Sequence, residues 1–530
     1  MIRRGIALLI SLTGLWTSAL TGQATRAELT DGRETTSYRD VLGFLDSLVR
    51  AGADVRIGTL THSVEGRAIP WVLAARPMVD GPSAAHRSGK PVLYIQGNIH
   101  AGEVEGKEAA LMLLRDLTLG ALGPLLDSVI VVVVPIYNVD GNEAVGPADR
   151  HRPGQNGPAV VGRRANGQGL DLNRDYVKME APETRGAAAL INAWDPDIFV
   201  DLHTTNGSYH GYALTYSPGL NSNGGPVNDF VRDEFLPTIR DRMRERHQQE
   251  IFDYGNFRNQ EPDSLDQGWY TYDPRPRFGT NWFGMRGRIA ILSEAYSNAP
   301  FKERIRATYN FMREILSLAG ERRATIAMLH ATRNRWSRDS VTLQSEYAPP
   351  SVRDVIAEIT EPAGDGSHGF ARRRRTGQYR TIRMPVFDRF APTRREAVPA
   401  GYLLPPRLTD VVQLLRRQGI RVAQLRHPWQ GTVEAFEVDS LTVSRRAFQG
   451  HRMVRLGGEW KPRSGWQAAP GWFFVPTAQR LGVLAAYLLE PASVDGVAAW
   501  NLLDRDLRQG RDSPIVRVRQ WTETPMIELP

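Results

Sequence analysis

Apolar and polar positions alternate along the first three hundred or so residues in a pattern typical of an α/β domain. Short runs rich in Val, Ile and Leu, several of them nearly continuous, predict strands buried on both faces of a central sheet. Longer amphipathic segments between these runs predict helices packed on that sheet. The strands are expected at residues 55–59, 71–75, 92–96, 128–135, 197–202 and 288–293, and the helices at 38–51, 106–119, 183–193, 227–246 and 301–318.

The composition and the apolar pattern of the sequence change beyond residue 335, where Pro, Arg and Gly are frequent and the apolar runs are short. One helix is predicted there, at 409–418, and a loop at 361–369. A chain of 530 residues is too long for one ordinary hydrophobic core. We therefore predict a targeting segment at residues 1–27, an α/β domain at 37–335 and a smaller α+β accessory domain at 340–530.

The first residues have the plan of a secretory signal peptide, because two arginines precede an apolar run at residues 5–20 and polar residues follow it. A signal anchor is the competing interpretation, but the run is short for a bilayer span of ~20 residues. We predict cleavage after Ala24 or Ala27. A later apolar stretch, 471–489, contains Gln and Arg and predicts a core segment. The protein is therefore expected to be secreted or periplasmic, without a stable membrane span.

The composition restricts the chemistry that the chain can perform. There is no cysteine, which excludes thiol nucleophiles, cysteine-bound zinc and disulfides, so any metal must be held by His and carboxylates. The net charge of +8 comes mainly from arginine, and no nucleic-acid-binding motif accompanies it, so no nucleic-acid partner is predicted. The four arginines at 372–375 are expected to form a solvated loop, although contact with anionic polymers is the alternative.

Three candidate metal ligands follow two of the predicted buried strands. His100 and Glu103 come after the strand at 92–96, and His203 closes the strand at 197–202. Catalytic zinc commonly uses two His and one Glu, which leaves a coordination position for water. The His-x-x-Glu spacing alone is weak evidence, and His203 alone would be a capped strand-end histidine. His210 is a rival ligand, but it lies in a Gly/Ser/Tyr segment and is the poorer candidate.

A fourth polar residue, Glu294, ends the apolar strand at 288–293. Zinc hydrolases need a base that takes a proton from water and gives it to the leaving group. A glutamate is costly to bury at such a position without a role. The alternative is a Glu that is satisfied by a neighbouring arginine.

Several residues suited to binding carboxylates and oxyanions lie between the second and third ligands. The segment contains Arg163, Arg164, Asp171, Asn173 and Arg174. A guanidinium group binds a carboxylate through two hydrogen bonds, so an Asn-Arg pair beside a zinc site would suit a free C-terminal carboxylate. A further arginine could stabilise an oxyanion. As isolated residues, these would more often be surface charges.

Together these motifs resemble those of the carboxypeptidase A-like zinc metallocarboxypeptidases. The resemblance covers residues 37–320 and rests on His100-x-x-Glu103, Asn138-x-Asp140-Gly141, Arg164, Asp171-Leu172-Asn173-Arg174, His203 and Glu294. It implies an α/β fold with a mixed, mainly parallel eight-stranded sheet flanked by helices. It also implies one zinc ion held by His100, Glu103 and His203, with Glu294 as the general base.

The same resemblance implies roles for other residues. Arg164 is expected to stabilise the oxyanion, with Arg163 as the alternative, and Asp171 to orient the first histidine. Asn173 and Arg174 are expected to bind the terminal carboxylate of the substrate.

Three features depart from the family pattern or are not placed securely by it. Members often have Arg directly before the ligand Glu, where this chain has Gly102. For the tyrosine that covers the substrate, Tyr272 is preferred over Tyr270. The segment 274–281 is expected to help line the specificity pocket, for either a basic or an apolar terminal side chain.

The C-terminal region resembles the accessory tail of some large bacterial members of the family.

The sequence therefore predicts a secreted bacterial zinc metallocarboxypeptidase that acts on peptides or proteins with a free C-terminus. Two alternatives remain open. One is a related zinc amidohydrolase acting on murein peptides or N-acyl amino acids, and the other is a non-catalytic protein that binds peptides or glycans. A role of the accessory domain in docking to the catalytic domain or in restricting its cleft is a hypothesis.

Overall fold

The structure is a computed structural model, and it describes residues 23–333, 339–362, 373–521 and 526–529. Most of the predicted targeting segment, the predicted domain junction and most of the predicted loop at 361–369 lie outside these ranges.

The first part of the chain is built around a mixed sheet of eight strands. In chain order the strands are β1 Val55–His62, β2 Ala68–Ala74, β3 Val92–Gly97, β4 Ile130–Val134, β5 Ile198–Thr204, β6 Leu214–Pro218, β7 Ile251–Asp253 and β8 Ile289–Ala295. Their order across the sheet is β1-β2-β4-β3-β5-β8-β6-β7. The four central strands β4, β3, β5 and β8 run parallel and are fully buried, as their continuous apolar runs predict. The predicted fold class is confirmed.

Helices cover both faces of this sheet. The main ones are Tyr38–Arg50, Glu105–Thr118, Pro182–Trp194, Gly279–Met285, Phe301–Glu321 and Arg323–Arg333. The predicted helix 227–246 consists of Gly225–Phe230 and Leu236–His247 joined by a π-helical turn. Local sequence explains where two of these helices begin. Ser37 and Asp40 form a capping box at the start of the first helix, and Pro182 occupies the first turn of the helix that it begins.

The parallel register aligns the carboxyl ends of three neighbouring strands. Between β5 and β8, Glu294 lies opposite His203, and between β3 and β5, Gly97 lies opposite Leu202. His100 follows the end of β3 by three residues. His100, His203 and Glu294 therefore lie at one edge of the sheet, where ligands of open α/β sheets are expected to bind.

The C-terminal part of the chain is rich in β-structure. It contains an antiparallel sheet of seven strands in the order Val454–Ala468, Trp429–Val443, Asp512–Val518, Gly401–Leu404, Phe473–Pro476, Ala423–Leu425 and Met526–Glu528. Four more strands form smaller sheets: Ser340–Tyr347, Ser351–Pro362, Arg373–Phe387 and Phe390–Ala397. The helix predicted at 409–418 is present as Thr409–Arg417, and Gly482–Leu489 is a second helix. Residues 473–475 and most of 481–489 in the apolar stretch at 471–489 are buried, as a core segment predicts.

Arg373 to Arg375 do not form the predicted solvated loop, because Arg373–Phe387 is a strand. Arg372 lies outside the described residues. Arg375 donates to Glu358 at 2.7 Å, and the side chain of Glu358 is completely buried. A buried carboxylate needs a cationic partner, and this requirement places Arg375 in the sheet.

The two parts of the chain share one hydrophobic core. That cluster includes Val133 and Phe311 from the first part and Leu415 and Leu488 from the second. Strand Arg373–Phe387 also pairs in parallel with the short strand Trp269–Tyr270. The domain limits remain a prediction. Within the described ranges, no helix is long and apolar enough to cross a membrane.

A buried ion pair joins the two parts close to the sheet edge that carries the candidate groups. Asp495 accepts hydrogen bonds from the Arg277 side chain at 2.7 and 3.0 Å and from the Trp500 indole at 2.9 Å. Both Arg277 and Asp495 are almost fully buried. Removing one partner of such a pair leaves an uncompensated buried charge.

We expect Asp495→Asn to lower the free energy of unfolding by about 3 kcal/mol, because Arg277 stays buried without its counter-charge. Urea denaturation of the full chain measures the change. Asp506→Asn is the matched control, since Asp506 pairs with Arg407, a surface side chain that is 59% exposed, and the expected change is ~0–1 kcal/mol. Equal effects of the two substitutions would contradict the prediction.

Candidate metal centre

The three predicted metal ligands meet in one place. His100 Nδ1 lies 3.1 Å from Glu103 Oε1, and His203 Nδ1 lies 2.9 Å from Glu103 Oε2. One ligand atom from each residue lies within 4.8 Å of the others, and all three residues are buried. Two imidazole nitrogens and one carboxylate form a donor set that suits zinc.

The second nitrogen of each histidine lies beside an aspartate carboxylate. His100 Nε2 lies 3.0 Å from Asp171 Oδ1, and His203 Nε2 lies 3.0 Å from Asp201 Oδ2. These contacts leave both Nδ1 atoms directed at Glu103, which is the arrangement that orients histidine ligands. The sequence reasoning missed Asp201. Its signal was a buried acid two residues before His203 in an apolar strand, hence on the same face of the strand.

The charges of the three residues depend on each other. Burial alone would raise the pKa of Glu103, but His100 and Arg152 hold that pKa well below its ordinary value. Burial alone would lower the pKa of His203, but Asp201 and Glu103 raise it well above the ordinary value. A metal ion that binds here must displace the proton of His203, so metal binding competes with protons.

Glu294 lines the same cavity. Its residue is 8% exposed, and its Oε2 atom has no hydrogen-bond partner within the described part of the chain. Burial raises the pKa of Glu294 to about 8; His203 opposes this rise and the negative charge of Glu103 adds to it. A carboxyl group with a pKa near the working pH is suited to proton transfer.

The structure distinguishes the two neighbouring arginines. Arg164 lines the cavity, donates to Asp171 Oδ2 at 3.0 Å and approaches Glu103 Oε1 to 3.4 Å. Arg163 is exposed and donates to the carbonyl of Asn166 at 3.2 Å. Arg164 is therefore the arginine that lies at the site.

Asn173 and Arg174 also line the cavity. The Asn173 amide oxygen accepts the N–H of Gly279 at 2.9 Å, and its nitrogen lies 3.3 Å from His203 Nε2. The Arg174 guanidinium stacks over the ring of Phe278 at 4.0 Å and donates to the Asn173 carbonyl at 2.7 Å. Both side chains are thus fixed at the cavity wall.

The cavity has a volume of about 200 Å³. Tyr272 lines it, whereas Tyr270 stacks on Phe387 of the C-terminal part at 4.2 Å. Tyr254, which the sequence reasoning missed, lines the cavity in a T-shaped contact with Tyr272. The cavity also contains Asp273, Phe278, Thr280 and Leu292, so part of the predicted pocket segment 274–281 is present.

Two sequence features turn out to lie outside the metal group. His210 is buried among aromatic rings, 4.2 Å from the ring of Tyr296, and burial lowers its pKa to about 3. Asn138 binds backbone instead: its side chain accepts the N–H of Gly141 at 2.9 Å and donates to the carbonyl of Arg164 at 3.1 Å. The Asn138 motif therefore shapes the loops that carry the site.

A hairpin loop of the C-terminal part reaches the site. This loop, residues 444–453, joins the two longest strands of the seven-stranded sheet. The Gln449 side chain accepts the backbone N–H of Asp171 at 2.9 Å, and His451 Nε2 lies 2.7 Å from Glu180. The C-terminal part thus contacts the residue that holds His100.

The fold and the site define a metal-dependent hydrolase with an α/β sheet. Residues 41–273 match the family model described as zinc carboxypeptidase. The predicted resemblance to this family and the predicted enzyme class, metallocarboxypeptidase, are confirmed. Glu294 lies beyond the matched segment, so its place in the site is a finding of the structure.

The chain is also similar to curated carboxypeptidases and to a solved carboxypeptidase structure. The chain is 24% identical over 485 residues to carboxypeptidase 2 of Trichophyton rubrum, covering 86% of this chain and 81% of the relative. It is 30% identical over 193 residues to human carboxypeptidase D, covering 31% of this chain and 13% of that protein. The crystal structure of carboxypeptidase A from Helicoverpa armigera covers 58% of this chain and 78% of its own, at 17% identity and a TM-score of 0.40. The bacterial source stays a prediction.

We expect Gln449→Ala to lower kcat/KM about fivefold, because the backbone N–H of Asp171 loses its hydrogen bond to the Gln449 side chain. A fivefold loss corresponds to ~1 kcal/mol, which is typical of one hydrogen bond. Deleting the whole C-terminal part is a poorer test, since the deletion would expose the shared core. Gln467→Ala, at an exposed position of the same sheet, is the control. Unchanged kinetics of Gln449→Ala would show that the loop does not support the site.

Proposed function

We propose that the chain removes single residues from the C-terminus of peptides, with zinc held by His100, Glu103 and His203. The observation that carries the proposal is that these three buried ligands and the carboxyl group of Glu294 share one cavity. Three coordinating side chains and a separate proton acceptor are what zinc-dependent hydrolysis requires.

The residues present fit a zinc ion. Both Nδ1 atoms face Glu103, and carboxylate oxygens of Asp171 and Asp201 lie 3.0 Å from the Nε2 atoms. When bound, zinc polarises the scissile carbonyl and lowers the pKa of water. The number of ions that the site takes is part of the proposal, and we propose one.

Glu294 serves as the base and then as the acid in this proposal. Its raised pKa means that the carboxyl group exchanges a proton readily around neutral pH. It takes a proton from the attacking water and gives it to the departing amine. Its unpartnered Oε2 atom leaves this exchange free of competition from a fixed protein hydrogen bond.

We assign different substrate groups to the polar residues of the cavity wall. We assign the developing oxyanion to Arg164, which lies within reach of the metal ligands. We assign the substrate's terminal carboxylate to Asn173 and Arg174, which Phe278 and Gly279 hold in place. Tyr272, with Tyr254 beside it, is assigned to covering the bound terminal residue.

We further propose secretion through a cleaved signal peptide. The described N-terminus favours cleavage after Ala24, because Thr25 then remains to cap the short helix Arg26–Leu29. Ala27 is 3% exposed and belongs to the main core, so cleavage after Ala27 would remove a packed residue.

We expect Glu294→Gln to lower kcat about 10²-fold or more, because the amide cannot carry the proton, while the zinc content stays that of the unchanged protein. Steady-state hydrolysis of a blocked dipeptide with a free C-terminus measures kcat, and elemental analysis measures zinc. Glu303→Gln, at an exposed helical position, is the control.

Full activity of Glu294→Gln would refute the assigned mechanism. Mass spectrometry of a digested peptide library tests the substrate class separately. Stepwise loss of C-terminal residues supports the carboxypeptidase proposal, whereas turnover of murein peptides or N-acyl amino acids alone would favour the amidohydrolase alternative. Binding without turnover would favour the non-catalytic alternative.

We expect Arg174→Met to lower kcat/KM about 10- to 100-fold on peptides with a free C-terminus, because a charge-assisted hydrogen bond is lost. The preference for a free over an amidated C-terminus should fall with it. Arg163→Met is the control, because Arg163 is an exposed arginine outside the cavity. An unchanged preference would show that Arg174 does not bind the terminal carboxylate.

A further inference from the structure

The residue before the metal ligand Glu103 is a glycine, and the structure gives a steric reason for it. A Cβ atom on Gly102 would lie 2.6 Å from Cγ and 3.1 Å from Cδ of Arg152, and 3.0 Å from the carbonyl oxygen of Gly162. Gly102 has no left-handed backbone conformation that would demand glycine. The missing side chain is therefore explained by space, and that space is filled by the stem of Arg152.

Arg152 is buried, and its guanidinium group is fully used within the protein. Nη1 donates to Glu103 Oε1 at 2.9 Å and to the Asn206 side chain at 2.9 Å. Nη2 donates to the carbonyls of Thr204 and Thr205 at 3.2 and 3.1 Å. Nε donates to the Gln155 side chain at 3.1 Å.

A guanidinium group has five N–H donors, and these contacts occupy all five. Arg152 consequently has no donor left for a substrate. Its action on the reaction must pass through the groups that it holds.

These contacts connect three segments of the site. Arg152 joins the loop that carries Glu103 to the end of the strand that carries His203. Gln155 closes the arrangement, because its side chain accepts from Arg152 and donates to the carbonyl of Gly102 at 3.1 Å. The orientation of the Glu103 carboxylate relative to His203 therefore depends on Arg152.

We propose that Arg152 is a positioning residue for the metal ligand Glu103, and that Gly102 is the position that makes room for it. The proposal rests on the proposed metal site. Groups that hydrogen-bond to a metal ligand orient it, and their loss commonly weakens metal binding. Arg152 provides this support from a distant part of the sequence.

The test measures the zinc affinity of the full chain by competition with a chelator. Gly102→Ala and Arg152→Ala should each weaken zinc binding about 10- to 100-fold. In the Arg152→Ala background, Gly102→Ala should have a much smaller further effect, because Cγ and Cδ of Arg152 are gone and only the contact with the Gly162 carbonyl oxygen at 3.0 Å remains. Gly43→Ala is the matched control, since a Cβ there meets nothing within 4 Å. Additive effects of the two substitutions, or wild-type affinity of either, would overturn the proposal.

A second variant and a spectrum separate positioning from a structural role. Arg152→Lys keeps the charge but not the fork of donors. With cobalt in place of zinc, the visible spectrum of Arg152→Lys should differ from that of the wild type, because the carboxylate ligand has turned. Thermal unfolding of the metal-free proteins reports folding independently. A folded Arg152→Lys protein with the wild-type cobalt spectrum and wild-type zinc affinity would refute a positioning role.

The same measurements distinguish this inference from the proposed function. If the wild type binds no zinc, or if His100→Ala binds it as tightly, the metal site itself is wrong. If the wild type binds zinc, His100→Ala does not, and Gly102→Ala and Arg152→Lys bind as the wild type does, only the positioning role fails.

Discussion

A buried carboxylate is the constraint on which the site depends. Glu103 lies almost fully inside the protein, and such a group is stable only when cations or hydrogen-bond donors surround it. His100 comes from the loop after β3, His203 and the N–H of Thr204 from the end of β5, and Arg152 from a separate segment. Because these partners come from three separate segments of the chain, the carboxylate is compensated only when all three have folded together.

The C-terminal part belongs to the architecture of the site as well as to the fold. Asp171 holds His100 with its side chain, while its backbone N–H is held by Gln449 of the hairpin loop. Nearby, Asp495 binds the side chain and backbone of Arg277, the residue directly before the cavity residue Phe278. Contacts of this kind fix loops beside the cavity, whereas the eight-stranded sheet fixes His203 and Glu294. A family match that ends at residue 273 therefore covers only part of the structure that shapes the cavity.

Sequence reasoning succeeded where one short segment contains the whole signal. The strand-end positions of His100, His203 and Glu294 follow from apolar runs that stop at a polar residue, and the parallel sheet then brings them together. It failed where a residue matters only because folding brings it into contact with a distant segment of the chain. Arg152 lies in a short helical and loop region with no periodicity, and nothing local marks it as the partner of Glu103. Strands β6 and β7 were missed because they are short and lie among polar and aromatic residues, so pairing with the sheet decides their conformation.

The charges of the cavity connect the metal to the proton transfer. Glu103 raises the pKa of Glu294, while His203, Arg152 and Arg164 lower it, and burial dominates the sum. A divalent cation held by His100, Glu103 and His203 would add positive charge in the same cavity, and nearby positive charge favours the ionised form of a carboxyl group. The pKa of Glu294 would then fall below its value of about 8 in the metal-free protein. Metal binding would therefore both complete the coordination and leave the base in the proton-accepting form that hydrolysis needs at neutral pH.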